Sequence, residues 1–210
     1  MEKVNYDKKM MDIINSFGEQ RPSLLLHTCC APCSTAVIER LSKYFDITVF
    51  YYNPNIEPYE EYLKRKEEQK RLLKEYKSIR PIKFLDCDYE NEEFAKIASG
   101  LENVPEGGKR CMLCFNLRLS KTVSLAKAYN FDYFGTSLTV SPYKNAFALN
   151  NIGLALEKKY GVKYLVSDFK KNDGYKRSIL LSKKYNLYRQ NFCGCKYSKT
   201  EHDRKIRGEL

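Results

Sequence analysis

"SLLLHTCCAPCSTAVIERLSKYFDITVFYY", residues 23–52, decides the fold. The apolar run "SLLLHT" reads as a buried strand, Pro32 to Phe45 as a helix, and "DITVFYY" as a second strand. A strand, a covering helix and a strand again is the unit of a parallel sheet. The alternation continues in both directions. A short amphipathic helix is expected over residues 5–17 and a long charged one over 58–77. "IKFLDC" is a third strand, followed by a helix near "NEEFAKIAS". "CMLCFNLRLSKTVSLAKAYN" is helical, with Leu113, Leu117 and Leu119 among its apolar positions. "FDYFGTS", 131–137, is a fourth strand, 143–160 a helix, "VKYLVSD" a fifth strand, and 175–186 a last helix. The expectation is an α/β fold, a Rossmann-like three-layer sandwich with a mostly parallel central sheet of about five strands. It forms one domain over 1–210, with the core in 22–170 and a C-terminal helix and CGC segment, 171–210, closing over the site.

In open parallel sheets ligands bind beyond the carboxyl ends of the strands, where strand order reverses. "TCCAPCS" follows the first strand, "NPN" the second and "GTSLTVSPYKN" the fourth, and the glycine-rich "GLENVPEGGKR" leads Cys111 and Cys114 toward the same rim. The site is therefore expected at the C-terminal rim of the strands.

The 210 residues are enough to bury a core without metal or disulfide support, so any metal serves function. Thirty-seven Lys and Arg against 26 Asp and Glu leave a net charge of +11, which favours polyanionic partners such as RNA. No apolar leader follows Met1 and no apolar run reaches a membrane span, so the expectation is a cytoplasmic protein without a membrane partner. In a reducing compartment, eight cysteines point to metal or redox chemistry rather than a disulfide framework. Seven fall in three groups, Cys29/Cys30/Cys33, Cys111/Cys114 and Cys193/Cys195, while Cys87 reads as a small buried hydrophobe.

Cys30-x-x-Cys33 and Cys111-x-x-Cys114 each lie at or near a helix start, where this spacing puts both sulfurs on one side of the first turn. Four thiolates suit zinc or an iron–sulfur cluster, and spacing alone does not choose between them. Cys29 and Cys30, neighbours at a strand end, point in different directions, so one can hold a cluster while the other faces a second metal or the substrate. The Cys193-Gly-Cys195 spacing fits a redox pair or additional metal ligands.

Four motifs in order, "HTCCAPCS", "RCMLCFNLRL", "GTSLTVSPYKN" and "YRQNFCGCKYS", resemble the QueH family of epoxyqueuosine reductases from about Leu24 to Ser198. The resemblance implies two-electron removal of the epoxide oxygen of epoxyqueuosine in tRNA to give queuosine, without cobalamin, by a [4Fe-4S] cluster beside an additional mononuclear iron. It implies tRNA carrying epoxyqueuosine in the anticodon and an external electron donor as partners. Cys30, Cys111 and Cys114 are then expected on the cluster, with Cys29 and Cys33 shared between cluster and second iron. Asp86 or Asp88 is a candidate to complete the second site, and Cys193 and Cys195 either ligate metal or relay electrons.

Ser137, Thr139, Tyr143 and Lys144 are expected to bind a ribose, a phosphate or the modified base, and Arg189 and Gln190 to touch an anticodon nucleotide. Arg118, four residues after Cys114, pairs with cluster charge, RNA phosphate or a surface carboxylate. His27 reads as a satisfied core histidine. In "EEYLKRKEEQKRLLKEYK" the charges alternate as on a solvated, ion-paired face. Lys and Arg after residue 170, interleaved with Tyr175, Tyr185 and Tyr188, suit gripping phosphates and stacking bases. A zinc-stabilised, non-catalytic RNA-binding module is the competing reading. A pyrophosphate-loop adenylating enzyme would need a glycine- and serine-rich cradle where "CCAPCS" stands.

Overall fold

The computed structural model describes residues 4–208. Its sheet comprises β1 (Ser23–His27), β2 (Asp46–Phe50), β3 (Lys83–Leu85), β4 (Tyr133–Thr136) and β5 (Lys163–Tyr164). The order is β3-β2-β1-β4-β5, with all neighbours parallel. The chain builds outward from β1 to β3 and then crosses to the other side of β1 for β4. The switch point therefore lies between β1 and β4.

Helices α1 (Tyr6–Asn15), α2 (Ala31–Leu41), α3 (Tyr59–Glu75), α4 (Asn91–Ala98), α5 (Lys109–Ala128), α6 (Ala146–Tyr160), α7 (Gly174–Lys184) and α8 (Lys196–Ile206) complete the fold. Side chains alternate across a strand, and β1 shows the consequence. Leu25 packs with Phe50 and Phe134, with Leu119 and Val123 of α5, and with Leu149 and Leu156 of α6. Leu24 and Leu26 pack on the opposite face with Val37, Ile38 and Leu41 of α2 and with Met10 and Ile14 of α1. All three leucines are fully buried; each contributes about 1.5–3 kcal/mol at most, measured against an extended unfolded chain. The three-layer α/β expectation holds, with a sheet that is wholly rather than mostly parallel.

Element ends differ from expectation where side chains cap the backbone. Helix α6 starts at Ala146 rather than residue 143, because Asn145 Oδ1 accepts from Ala148 N at 3.1 Å. Tyr143 and Lys144 are thereby left in the turn before it. β4 gives way to a 3-10 turn, Ser137–Val140, whose entry is held by Thr136 Oγ1 accepting from Leu138 N at 3.1 Å. Helix α8 was not expected. It carries no apolar stripe, and its N-cap is Cys195, whose sulfur accepts from Ser198 N at 3.4 Å; neither is an ordinary helix-start signal. The long α3 shows the ion-paired face read from its charges, with Arg71 bonded to Glu68 at 2.8 Å and to Glu75 at 2.9 Å. Among the described residues no helix is long and apolar enough to cross a membrane.

Candidate metal centre and substrate cavity

Cys29 lies in the bend just after β1, Cys30 is the N-cap of α2 and Cys33 lies in its first turn. The turn from strand into helix brings the three sulfurs within 4.8 Å of one another, with Cys29 Sγ 3.7 Å from Cys30 Sγ. Hydrogen bonds from Cys29 and Cys33, and then the Arg65 charge, hold the Cys30 thiol well below its ordinary pKa. The bond to Cys30, reinforced by burial, keeps the proton on Cys29, pushed up to about 11. Cys30 is thus the most acidic thiol of the triad, and a soft cation bound there would displace the remaining protons.

The other four grouped cysteines, Cys111, Cys114, Cys193 and Cys195, gather separately. Cys111 and Cys114 open α5, with Cys111 Sγ accepting from Gly107 N at 3.3 Å. Cys114 and Cys195 are buried together against Phe94 and Ala98. Burial pushes the Cys114 thiol up to about 11 and that of Cys195 up to about 12. Cys193 Sγ stands 3.1 Å from Lys144 Nζ, which also bonds Glu106 Oε1 at 2.9 Å. Burial works against the Lys144 charge, but Cys193 and Glu106 outweigh it and keep the ammonium protonated.

Arg118 stands between the two thiol groups, 1% exposed. Burial opposes its charge, and the sulfurs of Cys114, Cys29 and Cys193 more than compensate. It bonds Asn53 Oδ1 through Nη2 and reaches His27 Nε2 from Nε at 3.2 Å. His27 is fully buried, 3.0 Å from both Thr136 Oγ1 and the Tyr52 carbonyl. Burial and then Arg118 push its pKa down to about 3, so the imidazole is neutral and structural.

A cavity of about 570 Å³ opens at the switch point, lined by Cys29, Cys33, Arg118 and Cys193 on its inner side. Tyr143, Lys144, Arg189 and Gln190 line it as well, at the positions anticipated for substrate contacts. Arg189 lies over the Tyr175 ring at 5.4 Å and bonds Ser182 Oγ at 3.2 Å. Ser137 and Thr139, also expected at the substrate, do not line this cavity. The 3-10 turn directs Thr139 to the segment after β5, where its hydroxyl lies 3.0 Å from Ser167 Oγ, and Ser137 is wholly buried. Asp86 and Asp88 are also outside the lining. They follow the edge strand β3, away from the switch point, and Asp86 pairs with Lys66 and, at 3.5 Å, with Lys70. Cys87 bonds the Tyr51 carbonyl at 3.2 Å.

Sequence reading missed Glu106, the acid of the glycine-rich loop, which lines the cavity and accepts from Lys144 and, at 3.1 Å, from Ser198 Oγ. It also missed Glu201 and His202 of α8, which line the cavity. An acid five residues before a CxxC pair was the available signal for Glu106; nothing local marked α8.

Fold and donor set define a class: a parallel α/β protein with a cavity of cysteine thiols and buried cations as its candidate site at the strand switch point. The chain belongs to the QueH family of epoxyqueuosine reductases, whose family model, described as "Epoxyqueuosine reductase QueH", matches residues 24–201. Proteins named epoxyqueuosine reductase QueH are 44% identical over 201 residues in Streptococcus pyogenes serotype M1, covering 94% of this chain and 79% of that protein. In Staphylococcus epidermidis the identity is 44%, with 94% and 85% covered. In Thermotoga maritima it is 35%, with 87% and 93% covered. Among solved structures, the U34-tRNA thiolase NcsA from Methanococcus maripaludis, determined with its [4Fe-4S] cluster, is similar in fold. It matches at a TM-score of 0.51 and 14% identity, covering 95% of this chain and 73% of that one.

Proposed function

We propose that this chain reduces the epoxide of epoxyqueuosine in tRNA to the alkene of queuosine, and that its seven grouped thiols hold an iron–sulfur centre and an additional iron. The carrying observation is the division of the thiols in a chain of this family. Three sulfurs within 4.8 Å suit a single iron with a position left open. Cys111, Cys114, Cys193 and Cys195 form a set of four suited to a [4Fe-4S] cluster. In this proposal Cys30 is placed with Cys29 and Cys33, rather than with Cys111 and Cys114 as the family resemblance suggested. The zinc-stabilised module is not favoured, because one structural zinc uses four thiols and leaves three without a role.

The reaction consumes two electrons and two protons and releases the epoxide oxygen as water. When bound, the metal centre supplies electrons one at a time from an external donor and a Lewis acid for the departing oxygen. The chain's own groups do the rest. Arg118 places a fixed positive charge between the thiol groups, where negative charge develops. Lys144 holds a proton on Nζ in the cavity wall. Asn55 Oδ1 and Gln190 Oε1 are buried without donors and line the cavity; a nucleobase edge presenting N–H groups satisfies both. Tyr175 and Arg189 flank the entry for an unstacked nucleotide. The chain works as one unit, with residues between Tyr175 and Lys205 lining the cavity.

The test is anaerobic purification with iron, sulfide and zinc analysis, followed by an assay on epoxyqueuosine-containing tRNA. More iron than sulfide, with queuosine formed, supports the proposal. A colourless protein with stoichiometric zinc and no turnover overturns it. Cys33→Ser losing iron while keeping sulfide, beside Cys195→Ser losing both, checks the division of ligands.

A further inference from the structure

Among the charged residues of α3, only Arg65 is buried, at 1% exposure. Its Nε donates to Glu61 Oε1 at 2.7 Å and its Nη1 to the Cys193 carbonyl at 3.1 Å. Nη2 is buried with no partner. The guanidinium lies over the Phe192 ring at 5.3 Å. The CGC segment approaches it so closely that a Cβ on Gly194, whose φ is +115°, would stand 2.9 Å from Nη1. The Glu57 N–H donating to the Gly194 carbonyl at 2.9 Å completes the attachment. Burial works against the Arg65 charge, and the pull of the Cys30 sulfur, then of Glu61, outweighs it.

A guanidinium has five N–H donors in a rigid fork, and a buried one left unpaired is costly. Here one arm grips the segment carrying Cys193 and Cys195. One turn further along the same buried face of α3, Gln69 Oε1 accepts from Ser34 Oγ, next to Cys33, at 2.9 Å. This face of α3 thus joins the CGC segment to the helix that carries the triad, with the unpaired arm on it. We propose that Arg65 is a positioning residue of the metal centre. It ties the CGC segment to the triad, and its unpaired Nη2–H is the donor for a sulfur anion, thiolate or sulfide, on the Cys30 side. The two thiol groups, far apart in sequence, are thereby held in one geometry by a single planar cation, which lysine cannot reproduce. This proposal rests on the metal-centre reading above.

Two measurements separate it from that reading. The first is the alkylation rate of Cys193 and Cys195 in metal-depleted protein, read by peptide mass spectrometry. Arg65→Lys and Arg65→Gln are both expected to raise it several-fold, since neither substituent spans the same partners. The second is the midpoint potential of the iron–sulfur signal in anaerobic protein. It is expected to move to more negative values in Arg65→Gln, which loses charge and donor, and to stay nearer wild type in Arg65→Lys, which keeps the charge. Wild-type alkylation rates in both variants overturn the bridging role, and an unmoved potential in Arg65→Gln overturns the donor role. A wild-type protein lacking iron defeats the metal-centre reading instead, and the alkylation result still decides the bridge. If Arg65→Gln does not fold, Arg65→Lys carries the alkylation test and Arg65→Met, which also loses charge and donor, carries the potential: a negative shift supports the donor role and a wild-type value overturns it.

Discussion

Lys144 Nζ stands 3.1 Å from Cys193 Sγ, joining the turn before α6 to a residue 49 positions later in the chain. With Glu106 on the same ammonium at 2.9 Å, three segments without regular structure meet at one charge. Lys144→Met leaves Glu106 in the cavity wall without its cation and removes the link to the CGC segment. A loss of about 2–3 kcal/mol is expected, less than for a fully buried pair because Glu106 is partly exposed. Thermal denaturation of Lys144→Met, Glu106→Gln and the double variant checks this: strong non-additivity is expected, and simple additivity contradicts the pairing.

Cys111→Ser is expected to lose iron and epoxide reduction together, whereas Cys87→Ser, whose thiol bonds the Tyr51 carbonyl outside the cavity, keeps both. Full activity in an iron-free Cys111→Ser protein would sink the assignment of Cys111 to the metal centre.

Gly153 of α6 faces the Tyr164 ring so closely that an added Cβ would lie 2.3 Å from it. The ring is buried and lies 5.0 Å from Phe134 centroid to centroid, so it has little room to retreat. Gly153→Ala is expected to lower stability by about 1–3 kcal/mol despite alanine's better helix propensity. Denaturant titration measures it, and a stabilised variant would contradict the packing.

Asp132 Oδ2 accepts from Ser23 Oγ at 2.7 Å and Ser23 N at 2.8 Å, pinning the entry of β4 to that of β1. The Ser23 hydroxyl, then its N–H, hold this carboxyl below its ordinary pKa. A depressed carboxylate stabilises the fold above its unfolded value of about 4, and that contribution disappears as the pH falls through the folded value. Asp132→Ala is therefore expected to melt below wild type at pH 7, by an amount limited by solvent screening. The gap should narrow in acid; a gap that widens below pH 4 contradicts the sign.

Binding of tRNA is expected to weaken steeply with salt, since each phosphate neutralised by Lys or Arg releases counterion. A chain of net charge +11 binding tRNA with salt-independent affinity would remove the basic surface from the recognition model.

The sheet was legible in the sequence because its signal is local. Leu24, Leu25 and Leu26 form a continuous apolar run because β1 is buried on both faces. The site was partly legible. Cysteine pairs can be counted in a sequence, and Tyr143, Lys144, Arg189 and Gln190 lay in motifs that do reach the cavity. Ser137 and Thr139 lay in such a motif too, but the 3-10 turn took them elsewhere, a matter of one turn's geometry. Arg65 was hidden in a run whose alternating charges look solvated, and its burial depends on a segment 128 residues away.

By itself, then, the sequence determined the strand and helix alternation, the thiol inventory, the basic charge and the motifs of the family, because each resides in neighbouring residues. Only the tertiary structure decided that Cys111 and Cys114 join Cys193 and Cys195, that Arg118 stands between them and the Cys29 group, and that Lys144 and Glu106 line the cavity beside Cys193. Such partnerships join residues far apart along the chain, and they form only when packing of the sheet and helices brings buried charges close enough to need one another.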